Sequence, residues 1–138
     1  MQKISKCRVL AVIALGISLL LGGCIVQQGK EKMEDLEFTV MRIQDVPSAL
    51  QEQLEQKKEE DFKLTYSDNE YLYIARGYGI QETGGYSITV NDCYVAENAI
   101  CVKTTLNGPK VGEQVEKSPS CPMIVLKTEL RSEPVVFE

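Results

Sequence analysis

From Phe62 to the C-terminus, apolar and β-branched residues alternate with polar ones, and clusters of turn residues interrupt them at short intervals. A period of two is typical of strands with one face buried. The predicted strands are 62–66, 71–75, a long strand that ends at Val95, 100–106, 123–127 and a terminal edge strand over 134–137. Residues 110–120 are polar and predict a loop. The sequence therefore predicts a mostly antiparallel β-sheet.

One helix is predicted before these strands, after a first strand over Leu36–Ile43. Val46, Leu50 and Leu54 fall at positions i, i+4 and i+8, which gives a narrow apolar stripe. Asp45 is the predicted N-cap, with Pro47 in the first turn. The stripe either covers the sheet, which we favour, or binds a partner. The expected fold is a single small α+β domain, with the strand and helix in 36–61 and the β domain in 62–138.

The N-terminus has the three parts of an export signal. Lys3, Lys6 and Arg8 form a basic region, an apolar run follows over 9–21, and Leu21-Gly22-Gly23-Cys24 ends it. Thirteen residues are too few to cross a bilayer, which takes about 20, and they suit a signal peptide. The last four residues fit the lipobox pattern, in which the cysteine thiol takes a diacylglycerol. An ordinary signal peptide that ends near a cysteine is the alternative.

We therefore expect a lipoprotein signal peptide over 1–23, lipid attachment at Cys24 and a polar lipidated tether over 24–35. Two or more acyl chains (palmitate, for example) give stable attachment. The expected location is the extracytoplasmic face of a bacterial cell membrane.

Composition narrows the classes of function. Without the signal, 12 Lys and Arg remain against 20 Asp and Glu, a net charge near −8, which opposes binding to nucleic acid. The sequence has no histidine, so the commonest general base and the usual nitrogen ligand of zinc are missing. We expect no catalytic residues, no metal and no cofactor.

Three cysteines remain after Cys7 leaves with the signal and Cys24 is acylated. A three-residue connection over 96–98 would place Cys93 opposite Cys101, within reach of a disulfide. A two-residue connection would instead place Cys93 opposite Val102. The Cys93–Cys101 disulfide is therefore a conditional prediction.

A glycine-rich segment over 77–86 is the strongest signal in the mature chain. We predict that it is a binding loop formed by seven residues: Gly77, Tyr78, Gly79, Thr83, Gly84, Gly85 and Tyr86. Glycines let a partner backbone approach closely, and tyrosine combines apolar area with a hydroxyl. Alternatively, Gly84-Gly85 shape the entry to a strand while both tyrosines pack on the sheet. The spacing does not fit a nucleotide-binding loop.

The same region resembles the C-terminal domain of PrcB-like lipoproteins, the protease-complex subunit family. The resemblance is carried by Tyr71–Ile74, Gly77–Gly79, Thr83–Ile88, Thr104–Pro109, Ser120–Pro122 and Pro134–Phe137. It spans roughly 62–138 and is weaker over the helix.

The resemblance implies a non-catalytic accessory lipoprotein that associates with, and stabilises, a surface protease complex. Two alternatives stay open. One is a lipoprotein that binds a small ligand or an envelope polymer in a pocket flanked by Tyr78, Thr83 and Tyr86. The other is an inhibitor of the chagasin type, which has a similar Thr-Gly-Tyr loop; this sequence has no tryptophan and so lacks that family's tryptophan motifs.

Overall fold

Eight strands and one α-helix make up residues 32–138, which are the residues that this computed structural model describes. The strands are β1 (Lys32–Asp35), β2 (Thr39–Met41), β3 (Asp61–Ser67), β4 (Tyr71–Tyr78), β5 (Ser87–Ala96), β6 (Ile100–Asn107), β7 (Met123–Glu129) and β8 (Val135–Phe137). A 3-10 turn (Ile43–Asp45) and the helix α1 (Ser48–Lys57) lie between β2 and β3. The predicted signal peptide, Cys24 and tether residues 25–31 lie outside the described residues.

The strands form two four-stranded sheets. One sheet has the order β1-β5-β6-β8 and the other has the order β2-β7-β4-β3. Every pairing is antiparallel except that of β8, which runs parallel to β6 as the last strand of its sheet. The expectation of a small, mostly antiparallel domain with one short helix is confirmed, and the strands divide between two sheets.

Two apolar clusters hold three layers together. The first lies between the sheets and joins Leu72, Ile74 and Leu126 of one sheet to Cys93, Val95, Ile100 and Val102 of the other. The second lies between α1 and the outer face of the β2-β7-β4-β3 sheet. There Val46, Leu50 and Leu54 pack on Phe62, Tyr73, Ala75 and Val125. Leu50 and Leu54 are 0% and 1% exposed, so the predicted stripe covers the sheet.

The start of the helix differs from the prediction. Asp45 lies in the 3-10 turn and pairs with Arg42 (Nε to Oδ2, 2.8 Å), whereas Pro47 is the N-cap residue. The Pro47 carbonyl accepts the first helical hydrogen bond from the Gln51 N–H. The Asp45 carboxylate therefore pairs with the Arg42 guanidinium and does not cap the free N–H groups of the helix.

The N-terminal boundary also differs. Lys32–Asp35, predicted as tether, forms β1 against the end of β5, and the predicted strand over 36–43 shortens to Thr39–Met41. Leu36 is buried, and its N–H donates to the Cys93 carbonyl at 3.0 Å as the chain passes from one sheet to the other. Backbone pairing places β1 in its sheet, and its sequence, KMED, carries no apolar alternation.

Candidate protein-binding surface

The predicted binding loop begins inside a strand. Gly77 and Tyr78 are the last residues of β4, and Gly77 is buried. A Cβ atom at Gly77 would lie 2.0 Å from Cε2 of Phe62, so glycine is needed there for the ring to pack on the strand. Gly77 therefore serves the packing of the core.

Tyr78 is half-buried, and its polar groups have partners inside the domain. Its hydroxyl shares a hydrogen bond with the hydroxyl of Thr104, on the other sheet. The guanidinium of Arg76 lies 4.0 Å from the centre of the Tyr78 ring and donates to the Asp61 carboxylate at 2.8 Å. Cation–π contact and ion pairing together fix both side chains. Tyr78 thus connects the two sheets below the loop.

A second segment holds the glycine-rich loop in place. The backbones of Gln81 and Ser120 exchange two hydrogen bonds, of 2.8 and 3.0 Å, and the Ser120 hydroxyl donates to the Thr83 carbonyl at 2.7 Å. The Gly84 N–H donates to the Glu116 carbonyl at 2.9 Å. We call residues 79–86 and 108–120 together the two-loop surface, because these bonds make one unit of the two segments.

Gly85 packs closely against the second segment. Its φ angle is +87°, a region that residues with a Cβ rarely adopt. A Cβ atom there would lie 2.4 Å from Cγ1 of Val115 and 3.2 Å from Cβ of Pro109. Gly85 therefore combines a required backbone conformation with a required close approach.

Tyr86 is half-buried at the entry to β5. A Cβ atom at Gly108 would lie 3.4 Å from Cε1 of Tyr86, so the ring lies along the start of the second segment. The tyrosines at 78 and 86 are thus turned toward their own domain. Their part in binding stays a prediction.

Two apolar side chains of the two-loop surface are exposed, and the sequence pattern did not single out either of them. Ile80 is 51% exposed and Val111 is 106% exposed. Val111 lies at the tip of a turn in which the Glu113 N–H donates to the Lys110 carbonyl at 2.9 Å. Gly112 follows with a φ angle of +82°, which fits a type II turn. The signal in the sequence was the dipeptide Val-Gly inside an otherwise polar loop.

The conditional disulfide does not form. The Ala96 N–H donates to the Ala99 carbonyl at 2.8 Å, so the turn consists of only Glu97 and Asn98. Cys93 therefore pairs with Val102, and Cys101 pairs with Tyr94. Adjacent positions of a strand point to opposite faces, and the two thiols therefore face away from each other. Cys93, Cys101 and Cys121 are all free, and burial raises the pKa of the Cys93 thiol to about 11.

A groove of about 880 Å³ lies at the other end of β4 and β7. Its walls include Glu34, Glu37, Phe38, Tyr71, Lys127 and Arg131. The Lys127 ammonium lies 3.8 Å from the centre of the Tyr71 ring. No residue of the predicted binding loop lines this groove. The groove is therefore a different site from the expected pocket flanked by Tyr78, Thr83 and Tyr86.

Within residues 32–138, no group of three or more acidic or cysteine side chains is arranged to hold a metal ion. In the same part of the chain, no helix has the length and apolar character needed to cross a bilayer.

Comparison with protein families gives a match to the model described as PrcB C-terminal, over residues 72–129. We assign this segment to the PrcB-like family. The predicted resemblance is confirmed there. The PrcB C-terminal segment runs from β4 to the end of β7 and contains the whole two-loop surface. Searches of curated proteins and of solved structures gave no match.

Proposed function

We propose that this chain is a lipid-anchored, non-catalytic accessory subunit that binds an exported protease, or its complex, through the two-loop surface. The observation that carries the proposal is that the PrcB C-terminal match spans this whole surface. Association with a protease complex is what the match to the PrcB-like family suggests for the chain.

The form of the two-loop surface supports binding to a protein. Four backbone and side-chain hydrogen bonds join its segments, which keeps the exposed groups in one arrangement before binding. A preorganised surface loses less conformational entropy when it docks. Ile80 and Val111 are exposed apolar side chains in segments that also carry charged residues, and protein interfaces combine an apolar centre with a polar rim.

Lipid anchoring rests on the sequence around Cys24, and it is compatible with this choice of surface. β1, the first described strand, pairs with the Tyr94–Ala96 end of β5, whereas the glycine-rich loop joins β5 at its other end, Ser87. A partner at the two-loop surface therefore need not approach the strand that follows the tether. The substitution Cys24→Ser is expected to move the protein from the membrane fraction to the soluble fraction. Retention of the Cys24→Ser variant in membranes would contradict lipid attachment at this residue.

The absence of histidine from the sequence supports a non-catalytic role, since Ser-His and Cys-His nucleophile pairs cannot form. An inhibitor of the chagasin type is less well supported. The Thr83 carbonyl and the Gly84 N–H are bonded to the second segment, and so the loop that the resemblance rests on is not free.

The test is purification of the anchored protein from membranes solubilised in mild detergent, followed by identification of what comes with it. We expect an exported protease at a fixed ratio to the bait, and we expect Ile80→Asp to lower that ratio. Thr65→Asp is the control, because Thr65 is also exposed but lies on β3, outside the family match. Recovery of no exported protease from wild-type membranes would contradict the proposal.

The groove favours a second candidate, binding of a small molecule. It combines an exposed ring, Phe38, with the cationic side chains of Lys127 and Arg131. The pairing of Arg131 with Glu133 (Nη2 to Oε2, 2.8 Å) leaves Lys127 as the less constrained cation. A ligand retained by the wild-type protein and lost on Lys127→Ala would favour this candidate.

A further inference from the structure

We infer that Val111 is the anchor residue of the two-loop surface, inserted into an apolar pocket of the partner protein. The inference rests on the proposed function and names the residue and the chemistry by which the partner is held.

The exposure of Val111 is the first argument. Its side chain is 106% exposed, more than any other large apolar side chain in residues 32–138, the next being Met33 at 65%. Single exposed apolar residues are common on protein surfaces and need no function. Val111 differs because its turn holds the side chain out from the domain.

The turn is held from both sides. The Glu113 N–H donates to the Lys110 carbonyl at 2.9 Å, and the Glu113 carboxylate accepts from the Lys110 N–H at 3.1 Å. Gly112 supplies the positive φ that such a turn requires at its third position. This reciprocal pair of bonds encloses Val111 and Gly112 and so fixes the direction of the Val111 Cα–Cβ bond.

The base of the segment is fixed as well. Val115 packs against Gly85, and the Glu116 carbonyl accepts from the Gly84 N–H at 2.9 Å. The turn is therefore attached to the glycine-rich loop and, through Tyr78, to both sheets. A protruding apolar tip on such a base fits a concave apolar pocket, because little ordering is left to occur on binding.

The charges around the tip indicate the class of partner. Lys110 and Lys117 lie in the segment with Glu113 and Glu116, so the two signs are balanced near Val111. A balanced rim does not favour nucleic acid or an anionic bilayer surface, both of which select basic patches. A folded protein with an apolar pocket and a polar edge fits this arrangement best.

The size of the effect follows from the side chain. Val111→Ala removes two methyl groups, each worth about 0.8 kcal/mol when buried. At about 1.4 kcal/mol per tenfold change, we expect affinity for the co-purified exported protease to fall roughly tenfold to twentyfold. Val111→Ile keeps the side chain apolar and β-branched and adds one methylene group, so it should retain more affinity than Val111→Ala.

The inference is tested by a photo-crosslinking amino acid with a short aliphatic diazirine side chain, which keeps position 111 apolar, introduced there in intact cells, with the same group at position 65 as the control. We expect position 111 alone to give an adduct with an exported protein, and the crosslinked peptide to line an apolar pocket of it. An adduct with a second copy of this chain, an adduct with lipid only, or equal labelling from Thr65 would overturn the inference.

The two proposals fail in different ways. If Val111→Asp still recovers the exported protease at the wild-type ratio, Val111 is not the anchor, while the accessory role stands. If wild-type membranes yield no protease and position 111 gives no protein adduct, both proposals are wrong.

Discussion

Replacing Gly85 with alanine tests whether the two segments of the binding surface pack as one unit. At a φ of +87°, an alanine incurs a backbone cost of about 1–2 kcal/mol. Its Cβ would also lie 2.4 Å from Cγ1 of Val115, which forces Val115 or the loop to move. Overpacking of this kind typically costs about 1–3 kcal/mol. We expect Gly85→Ala to lower the free energy of unfolding by about 2–5 kcal/mol in total.

Gly112 provides a matched control. Its φ is +82°, and a Cβ atom there would meet nothing within 4 Å. At a closely similar φ, Gly112→Ala has a backbone cost of the same kind as Gly85→Ala and the same effect on the unfolded chain. The difference between the two variants isolates the contact with Val115, and we expect about 1–3 kcal/mol from it.

Urea unfolding followed by far-ultraviolet circular dichroism measures all three free energies. A Gly85→Ala/Val115→Ala double variant should recover most of the difference, since the shortened side chain makes room for the new methyl group. Equal destabilisation by Gly85→Ala and Gly112→Ala would refute the reasoning, as would a double variant no more stable than additivity predicts.

Two further predictions concern titratable groups. In the native protein at neutral pH, half-buried Cys121 should react with a thiol reagent before buried Cys93 and Cys101. All three thiols should react after denaturation. Fewer than three reactive thiols beyond Cys24 would indicate a disulfide. Backbone N–H groups of Glu70 and Tyr71 donate to the Asp68 carboxylate and hold its pKa below the ordinary value of 3.8. Because the folded-state pKa is the lower one, this contribution to stability is complete above the unfolded-state pKa and is lost as pH falls through the folded-state pKa. Unfolding titrations between pH 5 and 2 should show a smaller loss of stability for Asp68→Asn than for wild type, and parallel curves would contradict the assignment.

Strand and helix positions could be predicted where burial on one face imposes a period. The stripe of Val46, Leu50 and Leu54 needed an apolar surface to cover, and the sheet supplies it. The alternation over 62–66 and the apolar run over 123–126 located β3 and β7 to within a few residues. These segments depend mainly on their own side chains, which the sequence displays directly.

Features that depend on distant partners could not be predicted. β1 is specified by its pairing with β5, and the N-cap at Pro47 by the competing pair of Asp45 with Arg42. Whether Cys93 lies opposite Cys101 or opposite Val102 depended on whether the loop has three residues or two, and the sequence did not determine this length.

The candidate surface was predicted in part. The glycines at 84 and 85 lie in it, but Gly77 and Tyr78 belong to a strand and the interior. The second segment was missed because its role comes from hydrogen bonds to residues 81–84, some 35 positions earlier in the chain. Val111 is exposed because it lies in a tight turn. The attachment of this turn to the glycine-rich loop depends on contacts with residues far away in the sequence.

Crosslinking on intact cells, with identification of the proteins joined to this chain, tests the central claim most directly. The account predicts that an exported protease is joined to the two-loop surface, within residues 79–86 or 108–120, and that Ile80→Asp and Val111→Asp reduce its yield while Thr65→Asp does not. Crosslinks confined to other surfaces of the domain, or a set of partners without an exported protease, would contradict it.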